Sequence, residues 1–142
     1  MAHPYHHALS SAGKWGGSPE DYLPVHAWFD ESKAFLADQR HRALRHHAEG
    51  IFLAERVFGP TLTNADGRVI PVRWVGEQHV KEDLRRIPTA ADWLRAIRPE
   101  PWMLVGNKSD TTGPEPEPGS GAPVAARNTL ADFDRALDGC RT

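Results

Sequence analysis

Cysteine is almost absent from this chain, because Cys140 is its single cysteine among 142 residues. One thiol cannot close an internal disulfide, and it cannot supply the ligands of a cysteine-rich zinc knuckle. The N-terminal segment, residues 1–7, also lacks the apolar run of a secretion signal. These absences favour a reducing, cytoplasmic location and restrict any metal site to histidine and carboxylate ligands.

Long apolar runs and an excess of positive charge are missing as well. Residues 51–54 and 102–105 are short apolar runs, far below the roughly 20 residues that span a bilayer, so a transmembrane segment is not expected. Lys and Arg number 17 against 19 Asp and Glu, a net charge of −2 that does not indicate a strongly basic nucleic-acid surface. The sequence also contains no Walker loop, no Gly-x-Gly-x-x-Gly motif and no Gly-x-Ser-x-Gly elbow. A local phosphate-binding patch remains compatible with these absences.

The composition changes near residue 105. Residues 106–124 read GNKSDTTGPEPEPGSGAPV, which is typical of a flexible linker. After it, Thr129 and Asp132 form a capping box that predicts a short helix over 129–138. We therefore predict a helical, histidine-rich domain over 1–104 and a flexible C-terminal tail over 105–142.

Within 1–104 the apolar periodicity is mostly helical, so the predicted fold class is mainly α, with one small β-hairpin near 61–72. Helices are predicted from Pro4 to about Ser11, after Ser18, from Pro24, from about Arg40 to Val57 with Asp38 as N-cap, over Val75 to Arg86, and after Thr89. A glycine in the middle of a helix is unfavourable. Gly50 therefore predicts a close approach by another backbone or a bound group.

All eight histidines lie within the first 79 residues. A histidine and a second ligand four residues apart share one face of a helix, a common arrangement for metal binding. Three such pairs occur, which is about the number that random placement gives, so solvated or capped surface residues are the plain alternative. With His46 from the Arg/His-rich segment added, the candidate ligands for zinc, manganese or iron are His3, His7, His26, Asp30, His46, His79 and Asp83.

The segment 40–50, RHRALRHHAEG, is the densest polar patch in the predicted helices. Arg40 and Arg42 fall in a predicted first turn, where free N–H groups and guanidinium forks favour a phosphate group. Residues 40 and 42 nevertheless point about 200° apart on an ideal helix. The alternative is that each arginine pairs with a local acid such as Asp38.

Five motif blocks occur together in this sequence: HPxxHA (3–8), GGxPEDYL (16–23), HxWFDxSK (26–33), RHRALRHHAEGIF (40–52) and EQHVxEDL (77–84). Over about residues 1–104 the chain resembles a family of small bacterial and phage proteins that share a domain of unknown function. The resemblance implies no activity, but it places all three histidine pairs and the arginine-rich segment inside the shared blocks.

A more distant analogy links the chain to metal-dependent phosphohydrolases with a His-Asp signature. His47-Ala48-Glu49-Gly50 resembles their His-Asp-x-Gly, with Glu49 in place of the aspartate. The first hypothesis is a metal-dependent hydrolase of a phosphorylated or nucleotide-like substrate, with metal-activated water as nucleophile, Glu49 or Asp30 as base, and Arg40 or Arg42 on the phosphate. The alternative is a non-enzymatic adaptor or inhibitor, with or without a structural metal, that binds a protein or nucleic-acid partner.

Overall fold

The computed structural model describes residues 3–105. This range contains six α-helices and one antiparallel sheet of two strands, which confirms the predicted mainly α fold with a small hairpin. The helices are α1 (Pro4–Trp15), α2 (Pro19–Asp30), α3 (Arg42–Arg45), α4 (Ala48–Phe58), α5 (Val72–Leu84) and α6 (Ala90–Leu94), and the strands are β1 (Thr61–Thr63) and β2 (Val69–Pro71). The predicted linker over 106–124 and the helix over 129–138 lie outside the described residues.

Two compact units divide the chain after Arg98. All six helices and the hairpin belong to the first unit. The described part of the second unit is short and contains a 3-10 turn, Pro101–Leu104. Within the described residues, no helix has the length and apolarity needed to cross a membrane.

Capping residues and prolines determine where the helices begin. Pro4 and Pro19 are the first residues of α1 and α2, a position where a missing N–H costs nothing. Asp21 completes the capping box at the start of α2, and its Oδ2 also accepts a hydrogen bond from Ala65 N–H at 2.9 Å. This second bond ties α2 to the turn between β1 and β2, the strands in which Leu62 pairs with Ile70.

The prediction of one helix from Arg40 to Val57 is wrong. The chain forms a 3-10 turn and the short α3, leaves the helical conformation at His46 and His47, and resumes as α4. His47 has extended backbone and caps α4, because its Nδ1 accepts a hydrogen bond from Gly50 N–H at 2.9 Å. A Cβ on Gly50 would lie 1.9 Å from the carbonyl oxygen of Arg45, so the close backbone approach predicted at this glycine is confirmed.

Other helix boundaries also differ from the predictions. Helix α1 continues beyond Ser11 to Trp15, Pro24 lies inside α2 instead of starting a helix, and α5 begins at Val72. These shifts of a few residues are ordinary for boundaries inferred from periodicity, since tertiary packing decides where a helix frays.

The interior contains two kinds of side chain. The buried apolar cluster consists of Ala8, Tyr22, Val25, Phe29, Ile51, Ala54, Ile70, Val72, Val75 and Val80. Every histidine except His3 and His6 is also buried, together with Ser11, Asp30, Ser32, Asn64 and Gln78. Buried polar groups on this scale are unfavourable unless they are paired, so the partners of these side chains need to be identified.

Candidate metal centre

Four buried side chains from three parts of the fold meet in one place. Asp30 is the last residue of α2, His46 lies at the break between α3 and α4, and His79 and Asp83 are one turn apart on α5. Each offers one ligand atom, and these four atoms all lie within 4.8 Å of one another, so the group could hold a metal ion. The side chains of His46 and His79 are fully buried, and those of Asp30 and Asp83 are 5% and 6% exposed.

The spacing of these atoms resembles that of a coordination shell. His46 Nε2 lies 3.1 Å from His79 Nε2 and 3.2 Å from Asp83 Oδ2, and His79 Nε2 lies 3.8 Å from Asp83 Oδ2. Asp30 Oδ1 lies 3.8 Å from His46 Nε2 and 3.9 Å from His79 Nε2. A tetrahedral zinc ion with bonds of about 2.0–2.2 Å separates its ligand atoms by roughly 3.3–3.6 Å. The separations observed in this centre fall on both sides of that range.

Local backbone geometry explains how the sequence assembles this group. His79 and Asp83 share one face of α5 because they are four residues apart. His46 reaches the same point because the chain leaves the helix there, with φ −86° and ψ 66°. The glycine at position 50 permits this break, since only a residue without a side chain fits against Arg45.

Each carboxylate of the centre also has a cation beside it. Lys33 Nζ lies 2.9 Å from Asp30 Oδ1, and Arg42 Nη2 lies 3.3 Å from Asp83 Oδ2. Burial alone raises the pKa of Asp83, but the neighbouring His46, His7 and Arg42 hold it well below its usual range. Asp83 is therefore ionised at neutral pH, which is the form that binds a metal.

A chain of polar side chains extends from His79 away from the centre. His79 Nδ1 lies 3.1 Å from His26 Nδ1, and His26 Nε2 lies 2.8 Å from Ser11 Oγ. Ser11 Oγ donates to Gln78 Oε1 at 3.3 Å, and Gln78 Nε2 donates to Glu82 Oε1 at 2.8 Å. Burial lowers the pKa of His26 to about 3 and also lowers that of His79, so both imidazoles are neutral.

His7 and Phe29 complete the surroundings of the centre. His7 Nδ1 lies 2.5 Å from Glu82 Oε2, and its Nε2 lies 3.4 Å from Asp83 Oδ1. Burial lowers the pKa of His7, but the carboxylates of Asp83 and Glu82 outweigh it and raise the pKa above its ordinary value. Phe29 provides an apolar wall, with its ring stacked 5.0 Å from that of His79.

All four residues of the centre belong to the seven candidate ligands derived from the sequence. Two others, His7 and His26, contact members of the centre without being among the four. His3 is not part of the group, because it is exposed and its Nδ1 accepts a hydrogen bond from Tyr5 N–H at the start of α1.

The three remaining predicted site residues have different surroundings. Glu49 is exposed, and its Oε2 accepts a hydrogen bond from Ala90 N–H at 2.8 Å, which connects α4 to α6. Arg40 is exposed and pairs with Asp38 at 2.6 Å, the local pairing that was the alternative to phosphate binding. Arg42 alone reaches the centre.

Sequence reasoning missed the supporting residues Lys33, Ser11, Gln78 and Glu82. A weak signal existed for three of them, since Ser11 follows His7 by four residues on α1 and Glu82 follows Gln78 by four on α5. Such spacing shows that two side chains share a helical face but not what that face contacts.

The fold and the centre together define a small helical domain with a buried histidine and aspartate cluster. The chain belongs to the family named Domain of unknown function (DUF6915), whose family model matches residues 2–103. This match confirms the resemblance to a family that shares a domain of unknown function. No curated protein and no solved structure matches the chain.

Proposed function

We propose that this protein binds one divalent transition-metal ion (zinc, manganese or iron) through Asp30, His46, His79 and Asp83. The observation that carries the proposal is the convergence of two imidazole nitrogens and two carboxylate oxygens within 4.8 Å of one another in the interior. Imidazole and carboxylate ligands together suit these ions better than a thiolate site would.

A metal-free ion-pair network is the competing explanation, because Lys33 and Arg42 already balance the two carboxylates. Two features favour a metal over that explanation. The Nε2 atoms of His46 and His79 face each other at 3.1 Å, where at most one proton fits between them. Asp30 Oδ2 is buried and has no hydrogen-bond partner among the described residues. An unsatisfied buried carboxylate oxygen is costly, and a bound cation would satisfy it.

Metal analysis of the full chain, purified without a histidine tag, tests the proposal. We expect one equivalent of metal after chelation and reconstitution, and a dissociation constant from calorimetry with Zn²⁺, Mn²⁺ and Fe²⁺ that identifies the preferred ion. His79→Ala and the nearly isosteric Asp30→Asn should both lose most of the affinity, since each removes one ligand. His3→Ala is the matched control, because it removes an exposed histidine outside the centre. Less than one equivalent in the wild type, or unchanged affinity in both ligand variants, would contradict the proposal.

Hydrolysis of a phosphorylated or nucleotide-like substrate is the second candidate, and the position of Arg42 favours it. The Arg42 side chain is 12% exposed, and its Nε has no hydrogen-bond partner among residues 3–105. A guanidinium beside a metal is suited to phosphate oxygens, and the metal would act as a Lewis acid. Burial of all four ligands ranks this candidate below metal binding, because a substrate reaches the centre only if it opens.

A phosphodiester assay distinguishes this candidate from the adaptor alternative. Metal-loaded wild type and Arg42→Lys are compared on bis(p-nitrophenyl) phosphate and on nucleotides. A metal-dependent rate that falls in the variant supports hydrolysis, since lysine cannot replace the bidentate fork. No rate above that of the metal-free protein favours a binding role with a structural metal.

A further inference from the structure

We propose that Glu82, Gln78 and Ser11 form a hydrogen-bonded chain that fixes the tautomer of His26 and, through it, that of His79. This hydrogen-bonded series of side chains directs the lone pair of His79 Nε2 into the candidate metal centre. The consequence for metal binding rests on the proposed function, whereas the tautomer itself does not. Each step follows from which atoms can donate and which can only accept.

The orientation of Gln78 is set at the far end of the chain. Its amide lies 2.8 Å from Glu82 Oε1, and an ionised carboxylate only accepts hydrogen bonds. Gln78 Nε2 must therefore face Glu82, which turns the carbonyl Oε1 towards Ser11. The carboxylate thus acts as the fixed acceptor from which the remaining proton positions follow.

Ser11 connects Gln78 to His26 and determines which nitrogen of the His26 ring carries the proton. Its hydroxyl has one proton, which it donates to Gln78 Oε1 at 3.3 Å. At 2.8 Å from His26 Nε2, Ser11 Oγ is then left to accept, so the proton of the His26 ring lies on Nε2. Ser11 is fully buried, and no water is needed to complete this step.

The tautomer of His26 determines the tautomer of His79 in the candidate metal centre. The His26 ring is fully buried, and among the described residues its nitrogens pair with Ser11 Oγ and His79 Nδ1 and with no carboxylate. A buried ring without a carboxylate partner carries one proton, so with that proton on Nε2 its Nδ1 is an acceptor. His79 Nδ1, 3.1 Å away, must donate to it. The His79 ring is fully buried too, and with its one proton on Nδ1 its Nε2 is left unprotonated and faces His46 Nε2 and both carboxylates.

This arrangement is the outer-shell hydrogen bond that orients metal-ligating histidines, with an imidazole in place of the usual carboxylate or carbonyl. The opposite tautomer of His79 would place a proton on Nε2, in the position where the metal must bind. Ser11 and Gln78 are therefore positioning residues for His79. Loss of such residues typically weakens metal binding about 10- to 100-fold.

Imidazole ¹⁵N chemical shifts of the metal-free wild type test the tautomer directly. We expect a protonated Nδ1 and an unprotonated Nε2 for His79, and the reverse for His26. A proton on His79 Nε2 would overturn the inference, whatever the protein's affinity for metal.

Zinc titration of Ser11→Ala against Ser10→Ala tests the consequence. Ser10 is the matched control, because it is the exposed neighbour on α1 and donates to the same Glu82 carboxylate without touching His26. We expect Ser11→Ala to weaken zinc binding about 10- to 100-fold and Ser10→Ala to leave it unchanged. Ser11→Thr keeps the hydroxyl and should bind zinc as tightly as the wild type. Equal affinities of Ser11→Ala and wild type would overturn the inference. If Ser11→Ala does not fold, the ¹⁵N shifts of the wild type decide. A wild type that binds no zinc refutes the proposed function, while the tautomer is still judged by its shifts.

Discussion

Helices α2 and α5 are each divided along their length into an apolar and a polar part. The first part of each helix buries mainly apolar side chains, and the last part buries most of the candidate metal centre and the histidine behind it. The apolar side chains of the first parts are Tyr22, Val25, Val72 and Val75. The last parts contain the polar residues His26, Asp30, His79 and Asp83, with Phe29 and Val80 as buried apolar residues among them. The apolar parts stabilise the fold by removing surface from water. The polar parts contribute less clearly, since the desolvation of a buried ion pair offsets its attraction. This contrast agrees with the proposed metal-binding role of the polar parts, which the apolar parts would support.

Phe29 is a buried apolar residue within the polar part of α2, between His26 and Asp30, and its replacement should give the largest effect. Its side chain is fully buried and packs against His79, His46 and Gly76. We expect Phe29→Ala to lower the free energy of unfolding by about 3–5 kcal/mol, measured by urea denaturation, because a large cavity forms. We also expect weaker metal binding.

Phe35→Ala is the control for this variant, because Phe35 is 77% exposed. It should change the free energy of unfolding by less than about 0.5 kcal/mol. Similar losses in the two variants would show that Phe29 does not stabilise the interior in the way described.

Disturbing the break between α3 and α4, which places His46 in the centre, should have the next largest effect on stability. We expect Gly50→Ala to destabilise the protein by about 1–3 kcal/mol, because its Cβ would collide with the Arg45 carbonyl. The metal affinity should fall with it, since His46 would shift.

Gly13→Ala in α1 is the matched glycine variant, because a Cβ there meets nothing within 4 Å. It should stabilise the helix by roughly 0.5–1 kcal/mol. Thermal unfolding and zinc titration of both variants check the pair. A Gly50→Ala protein as stable as Gly13→Ala would contradict the tight break.

Acid should destabilise the polar part of the interior in the metal-free protein. The unfolded chain takes up a proton on His26 below about pH 6.5, whereas in the folded protein burial lowers the pKa of His26 to about 3. The unfolded state therefore binds more protons between these values, and the free energy of unfolding falls as the pH decreases, by up to about 1.4 kcal/mol per pH unit.

Urea denaturation of wild type and His26→Gln between pH 7 and 4, in a chelator, isolates this contribution. The variant should lose less stability on acidification. His7, whose pKa is raised, acts in the opposite direction but is present in both proteins. Parallel pH profiles would contradict neutral burial of His26.

Sequence patterns predicted the parts of the fold that depend on neighbouring residues. Pro4, Pro19 and the caps at Ser18 and Thr89 mark helix starts correctly, because a cap satisfies N–H groups of the same turn, whereas Pro24 does not mark one. The break at His46 was missed because it depends on a side-chain cap from His47 and on a backbone contact of Gly50. Uninterrupted helical periodicity through this segment hides both.

The candidate site was predictable as a set of residues but not as an arrangement. Spacing of four residues places His79 and Asp83 on one face, and Asp30 belongs to another such pair. Which faces meet depends on how helices far apart in the sequence pack. His3 has the same spacing from His7 but lies at a helix end. The spacing of Ser11 from His7 gives only a shared helix face, since its proposed role depends on contact with His26.

A zinc-soaked crystal measured at the zinc absorption edge tests the central claim most directly. The account predicts one anomalous peak among Asp30 Oδ1, His46 Nε2, His79 Nε2 and Asp83 Oδ2, about 2.0–2.2 Å from each. A peak at an exposed histidine such as His3 or His6, with no density inside the cluster, would contradict it.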